Sequence, residues 1–348
     1  MQIRHLTTTL RALALAGLLA SASLAHAGMG MTRLPATATD GPVTVFYPTA
    51  APEQATTLGP FTLSLAVGAA PQKGNGRLVA MSHGSGGNAW VHADLARALV
   101  DAGFVVAMPQ HHGDNTQDPS APGPASWKLR PAEVSRAIDA VGRDARFAPL
   151  LALDKVGMYG MSAGGHTALS MAGGRWSPAR FVAHCEAHIA DDFPACMGLY
   201  TQLNRDLLDG PKKAFAAWAL RSRFDDATEQ AHNDPRIAAV AAGVPAAADF
   251  DPASLATPRV PLALVTAGQD RWLSPALHGG AILKACLPRC ELLVDLPTAG
   301  HGALMSPLPP LANERLRELV ADPPGFDRAQ MAEVDRRIAA FMRRHLLP

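Results

Sequence analysis

The chain has 348 residues, 48% of them hydrophobic and 18% charged, with 31 Lys and Arg against 30 Asp and Glu. That length supports one large core or two smaller ones without covalent staples. A near-zero net charge with no block of like charges argues against a nucleic-acid groove or an anionic membrane surface as partner, and the apolar content excludes wholesale disorder.

The chain begins with a targeting pattern. Arg4 and Arg11 flank a positive start with no acid, Ala12 to Leu24 is a run of apolar and small residues, and Ala25-His26-Ala27 is an A-x-A cleavage sequence. The apolar run is too short for a bilayer core, which takes roughly 20 helical residues. Residues 1–27 therefore read as a signal peptide and residues 28–348 as the mature domain, exported to the periplasm or secreted. No later stretch is long and apolar enough for stable membrane insertion.

Strand-like and helix-like segments alternate from residue 41. Val43 to Tyr47 and Phe61 to Val67 read as early strands, and Leu78 to Met81 as a short buried strand ending at a glycine cluster. A helix from about His92 to Ala102 leads to a strand over Phe104 to Met108. A Gly-, Pro- and Asp-rich loop from Gln110 to Ser126 precedes a helix whose first turn is expected at Pro131. Lys155 to Tyr159 is another strand, followed by a helix from near Ala163. Residues 174–235 break the alternation and read as a cap inserted over the sheet's C-terminal edge. Strands return at Ile237 to Gly243, Pro261 to Ala267 and Glu291 to Leu296, and Met331 to Leu347 closes the chain as an amphipathic helix. Continuous apolar runs alternating with helices imply an α/β fold with a mainly parallel sheet covered on both faces.

The four cysteines lie as two local pairs, Cys185 with Cys196 and Cys286 with Cys290. An oxidising compartment favours disulfides; three connectivities are possible, and the two local bridges are favoured because each pair sits in a connecting segment. Their spacings match no common zinc arrangement, and His184 and His188 are the only histidines close by in sequence, so no metal site is expected.

Gly160-Met161-Ser162-Ala163-Gly164 is a G-x-S-x-G sequence between a strand and a helix, where a serine is forced onto a sharp turn with its hydroxyl presented. A weakly acidic hydroxyl needs a base, and the base an orienting acid, in the chain order Ser, acid, His. Gly268-Gln269-Asp270 follows one late strand and Ala299-Gly300-His301 the next, so Asp270 and His301 are the candidate acid and base. Asp249 and Asp251 are fallback acids. His83-Gly84-Ser85-Gly86-Gly87 follows an earlier strand where an oxyanion donor is needed, so the amides of Ser85 and Ala163 are the candidate pair. Trp90 and Trp272 adjoin these loops and are candidates to line an acyl pocket. His111 and His112 sit in a loop expected to border the cleft, and His166 is expected to have a hydrogen-bonded packing role.

Ser82 to Gly87, Ala102 to Ala107, Arg130-Pro131-Ala132-Glu133-Val134-Ser135, Gly160 to Gly165, Ala267 to Asp270 and Ala299 to His301 together resemble the exported "predicted dienelactone hydrolase" branch of the α/β-hydrolase superfamily. That branch is similar to platelet-activating-factor acetylhydrolases and secreted polyester hydrolases. The resemblance spans most of residues 41–346 and is weakest over 174–235. It implies an α/β-hydrolase fold with Ser162 as nucleophile, Asp270 as acid, His301 as base, and Ser85 with Ala163 as oxyanion amides. Dienelactone hydrolases themselves carry a cysteine nucleophile where this chain has Ser162.

The expected activity is that of a carboxylic ester hydrolase, a serine esterase acting through an acyl-enzyme on a small-molecule or polymeric ester, with no metal or organic cofactor. The rival readings are a serine peptidase or amidase of the same fold, and a non-catalytic binding protein that retains the fold. Nothing in the sequence speaks to oligomeric state.

Overall fold

The computed structural model describes residues 28–348. The expected signal peptide, residues 1–27, lies outside the described residues. The chain opens with four strands, β1 (Gly28–Leu34), β2 (Val43–Thr49), β3 (Gln54–Leu58) and β4 (Phe61–Val67). Alternation follows through β5 (Leu78–Ser82), α1 (Ala93–Asp101), β6 (Val105–Pro109), α2 (Pro124–Arg143), β7 (Val156–Met161) and α3 (Ala163–Met171). Three helices come next: α4 (Pro178–His188), α5 (Phe193–Met197) and α6 (Asp209–Arg223). The chain returns to the sheet through β8 (Ile237–Gly243), β9 (Leu262–Ala267), α7 (Gly279–Cys286) and β10 (Glu291–Leu296), and ends with α8 (Glu314–Val320) and α9 (Met331–Leu346).

All ten strands join one sheet in the order β10-β9-β8-β7-β5-β6-β2-β1-β4-β3. The six from β10 to β6 are parallel neighbours, because a helix-containing crossover returns each strand in the same direction. β2 runs antiparallel to β6, β1 antiparallel to β2 and β3 antiparallel to β4, while β1 and β4 are parallel. The short β3–β4 connection through Gly59 and Pro60 permits only the antiparallel hairpin.

The central strands bury both faces, and their side chains divide between two cores by the strand period of two. Leu78 and Ala80 of β5 pack with Val134 and Ile138 of α2 and Leu169 of α3. Val79 and Met81 point the other way, to Leu95 and Leu99 of α1 and Ile338, Phe341 and Met342 of α9. α9 buries Met331, Val334, Ile338, Phe341 and Met342, a helical spacing of three and four that explains its position against the sheet.

Three local features differ from the sequence-based expectation. β1 and β3 are additional strands; β3 is largely exposed and carries threonine and glutamine rather than an apolar run. α2 begins at Pro124, one turn and more before Pro131, which lies inside the helix. Gly123, at φ 80°, turns the chain into the helix, and Pro124 supplies the fixed φ suited to its first turn. Pro131 forfeits one intrahelical hydrogen bond, but the residue before it, Arg130, is buried and its guanidinium is hydrogen-bonded to Ser126, His83 and Asp114, which holds the turn in place. Disulfides join Cys185 to Cys196, linking α4 to α5, and Cys286 to Cys290, linking the end of α7 to the start of β10. No helix among the described residues is long and apolar enough to cross a membrane.

Candidate active site

Ser162 sits between β7 and α3 with φ 60° and ψ −119°, a conformation that costs an L-residue of order 1–3 kcal/mol and persists only where the surroundings impose it. They do so through the backbone. Ser162 N–H donates to the Gly243 carbonyl at 3.0 Å, and its own carbonyl accepts from Ala246 N–H at 3.0 Å and His166 N–H at 3.0 Å. The two glycines of the motif have a steric reason. A Cβ on Gly160 would lie 1.9 Å from the Gly164 carbonyl oxygen, and one on Gly164 would lie 1.9 Å from the Ser82 carbonyl oxygen. Only hydrogen fits between the strand end, the turn and the neighbouring strand.

His301 follows β10 and Asp270 follows β9, and both side chains are buried. The Asp270 Oδ1 atom accepts from the backbone N–H groups of Trp272 and Leu273, each at 2.8 Å. That leaves Oδ2 for His301, whose Nδ1–H donates to it at 2.7 Å. The opposite ring nitrogen is thereby an acceptor, and Ser162 Oγ lies 3.0 Å from it. The result is a continuous chain from carboxylate to imidazole to hydroxyl, with the proton positions set by hydrogen-bond partners.

The loop after β5 runs against this serine: a Cβ on Gly84 would be 3.4 Å from Ser162 Cβ. The candidate amide of Ala163 is the first N–H of α3, which helix geometry leaves without an intrahelical acceptor. The Ser85 side chain donates from Oγ to Asp114 Oδ1 at 2.7 Å. Trp272 tilts beside the His301 ring, with centroids 5.7 Å apart. Trp90 packs edge-on to Phe46, centroids 6.3 Å apart, at the core shared with α1 and α9.

The fallback acids are engaged elsewhere. Asp249 lies 3.0 Å from His166 Nε2, and the His166 ring is walled by Trp127, Trp176 and Phe250. Asp251 accepts from Ala253 N–H and starts a short 3-10 turn. His111 is fully buried: its Nε2 pairs with Ser82 Oγ at 2.7 Å and its Nδ1 with Glu133 at 2.6 Å.

Two groups around the site have no counterpart in a motif. The loop after β8 wraps Ser162, and in it Val244 is a β-branched residue held at φ 35°. The second is a grouping of His184, Asp192 and His278. Asp192 Oδ2 lies 2.7 Å from His184 Nε2 and 2.8 Å from His278 Nε2, and its Oδ1 accepts from Ser274 N–H at 3.0 Å. Its residue types would suit a cation, but the proton positions do not. His278 Nδ1 accepts from Ala247 N–H at 3.0 Å, so the neutral ring carries its proton on Nε2, the atom that would have to bind the ion. The group is a hydrogen-bonded tie between α4, α5 and the segment that follows Asp270. Burial pushes the Asp192 carboxyl up, and the hydrogen bonds from His184, His278 and Ser274 outweigh it, so the carboxyl ends well below the usual range. In sequence only His188 lies close to His184, and His278 is distant in the chain.

No family model matches the chain. No curated protein matches it either. Among solved structures, it is similar to a ferulic acid esterase from Streptomyces cinnamoneus at 16% identity, over 94% of this chain and 92% of that one, with a TM-score of 0.58. At that identity the likeness is one of fold. Together with the mainly parallel ten-stranded sheet, it makes the architecture an α/β-hydrolase fold.

Proposed function

We propose that this protein is an exported serine hydrolase of carboxylic esters, with Ser162 as nucleophile, His301 as general base and Asp270 as its orienting acid. The observation that carries the reading is the hydrogen-bond chain from Asp270 through His301 to Ser162, on a turn that holds the serine in a strained conformation. Ser162 Oγ attacks the ester carbonyl while His301 Nε2 takes its proton. The electron pair of the carbonyl moves onto oxygen, where the N–H groups of Ser85 and Ala163 receive it. Collapse expels the alcohol, protonated by His301, and leaves the acyl group on Ser162. Water, deprotonated by His301, then repeats the sequence and releases the acid. Asp270 holds the imidazole in the tautomer both halves require. The balance uses only ester and water.

Within the α/β-hydrolase fold, the motifs around Ser85, Arg130, Ser162, Asp270 and His301 favour the exported branch similar to platelet-activating-factor acetylhydrolases. The fold neighbour is named as an esterase, which supports an ester over an amide substrate. The two disulfides support export to an oxidising compartment. Residues 174–235, with their three helices, are the proposed cap, tied through Asp192 to the acid loop. Trp272 beside His301 is the proposed wall of the acyl pocket.

The test is hydrolysis of p-nitrophenyl acetate, butyrate and palmitate by the mature protein and by Ser162→Ala. The expected result is a loss of about 10⁴-fold or more in kcat for the variant, with the chain-length profile of the parent reporting pocket depth. Activity that survives the substitution overturns the assignment of Ser162.

A further inference from the structure

Two sequence segments take no part in the chemistry above: the loop containing His111-His112-Gly113-Asp114 and the helix segment Arg130-Pro131-Ala132-Glu133. They meet beneath the loop after β5. Arg130 is wholly buried, and its guanidinium donates to the His83 carbonyl at 2.6 Å, to Asp114 Oδ2 at 2.8 Å, to the Asp114 carbonyl at 3.3 Å and to Ser126 Oγ at 2.9 Å. Asp114, also buried, uses its other oxygen to accept from Ser85 Oγ–H at 2.7 Å and Gly86 N–H at 2.8 Å. One carboxylate therefore grips two consecutive residues of the loop, Ser85 and Gly86, while a fixed cation grips His83, two residues before Ser85.

The peptide between Gly84 and Ser85 is held from its carbonyl end as well. The Gly84 carbonyl accepts from His83 Nδ1–H at 2.8 Å and from Gly87 N–H at 3.1 Å. His83 Nε2 faces His111 N–H at 3.4 Å, so the proton belongs on Nδ1. Burial first, then the neighbouring His111 and Arg130, keep the His83 ring neutral. In a planar trans peptide the carbonyl and the N–H point in opposite directions. Anchoring the Gly84 oxygen downward therefore aims the Ser85 N–H at the opposite side, and hydrogen bonds at the oxygen polarise that N–H.

The geometry points to Asp114 and Arg130 as positioning residues that aim the Ser85 N–H at the developing oxyanion. This rests on the ester-hydrolase reading and adds to it what orients the amide. Neither residue touches the substrate. Their effect belongs to the transition state, because the ground-state ester carries no full charge for the amide to meet.

Asp114→Asn keeps the volume but leaves one acceptor for three donors. The expected result, with p-nitrophenyl acetate, is a fall in kcat of roughly 10- to 10³-fold, the upper end being the loss of one oxyanion donor, with KM changed less than about threefold. Affinity for an alkyl boronic acid, which forms a tetrahedral anionic adduct on a serine, falls by the same factor as kcat/KM. Rates are taken per active site, counted by labelling with a fluorophosphonate, so a merely unfolded fraction does not register. Ser85→Ala keeps the amide and deletes only the side-chain tie; it is expected to lose a few-fold in kcat, and nothing further when added to Asp114→Asn. This second variant decides the matter if Asp114→Asn does not fold. Unchanged kcat and boronate affinity in these variants, or a rise in KM alone, overturns the inference. Activity that survives Ser162→Ala overturns the hydrolase reading and this inference with it. An inactive Ser162→Ala beside unimpaired Asp114→Asn and Ser85→Ala overturns the inference alone.

Discussion

On one side of Ser162, Asp114 accepts the Gly86 N–H and is paired with Arg130; on the other, Asp192 accepts the Ser274 N–H and is paired with His184 and His278. These two loops are thus each held by a buried carboxylate bound to backbone N–H. The partners of the two carboxylates differ. Burial draws Arg130 below its ordinary value and Asp114 draws it back, but a guanidinium stays charged at every working pH. The side that carries Ser85 is therefore a permanent ion pair between α2 and the loop after β6. The side that carries Asp270 is an imidazole–carboxylate group reaching across to α4 and the start of α5, and a disulfide links those two helices. The first side keeps its charges at every working pH, whereas the second joins the α4–α5 segment to the loop after β9 through histidines.

That contrast can be broken by mutation. Arg130→Met leaves Asp114 buried without its cation and is expected to cost about 3–5 kcal/mol in urea unfolding; a cost below 1 kcal/mol would make the pair dispensable. Next in size is the double substitution of Cys185 and Cys196 by alanine. Their sequence separation of 11 gives about 3 kcal/mol from loop closure, and the loss is expected to loosen Asp192, the residue before α5, seen as faster hydrogen exchange at Ser274. Asp192→Ala strands the Ser274 and His278 donors and is expected to cost about 1–3 kcal/mol. A larger loss here than in Arg130→Met would reverse the comparison.

The smallest effect is a slope with pH. The Asp192 carboxyl is lowered in the fold, so its contribution is complete above the ordinary carboxylate range and is lost as pH falls through and below about 4. Thermal melts between about pH 6 and 3 should therefore fall more steeply for the parent than for Asp192→Asn. Parallel profiles for the two would remove Asp192 from the account of acid stability.

Much of the candidate site was legible because its sequence pattern is local. Gly160 and Gly164 mark a turn where a Cβ would strike backbone, and the order of Ser162, Asp270 and His301 follows the order of the strands that carry them. The start of α2 was misread at Pro131 because two prolines, Pro124 and Pro131, both suit a first turn, and Gly123 with its positive φ selects the earlier one. β3 escaped notice because an exposed edge strand needs no apolar run. Asp249 and Asp270 each follow a late strand; tertiary contacts alone commit Asp249 to His166 and Asp270 to His301.

The sequence by itself determined the α/β alternation, the glycine-flanked turn at Ser162 and the loops that carry Asp270 and His301, since these depend on strand and helix periods and on residues within a few positions of one another. Only the tertiary structure decided that Arg130 reaches His83 and Asp114, and that Asp192 reaches Ser274 and His278. Those partners lie 47, 16, 82 and 86 residues apart. A buried charge must find a partner somewhere, but no local pattern states which one; the crossing of the chain over the sheet does.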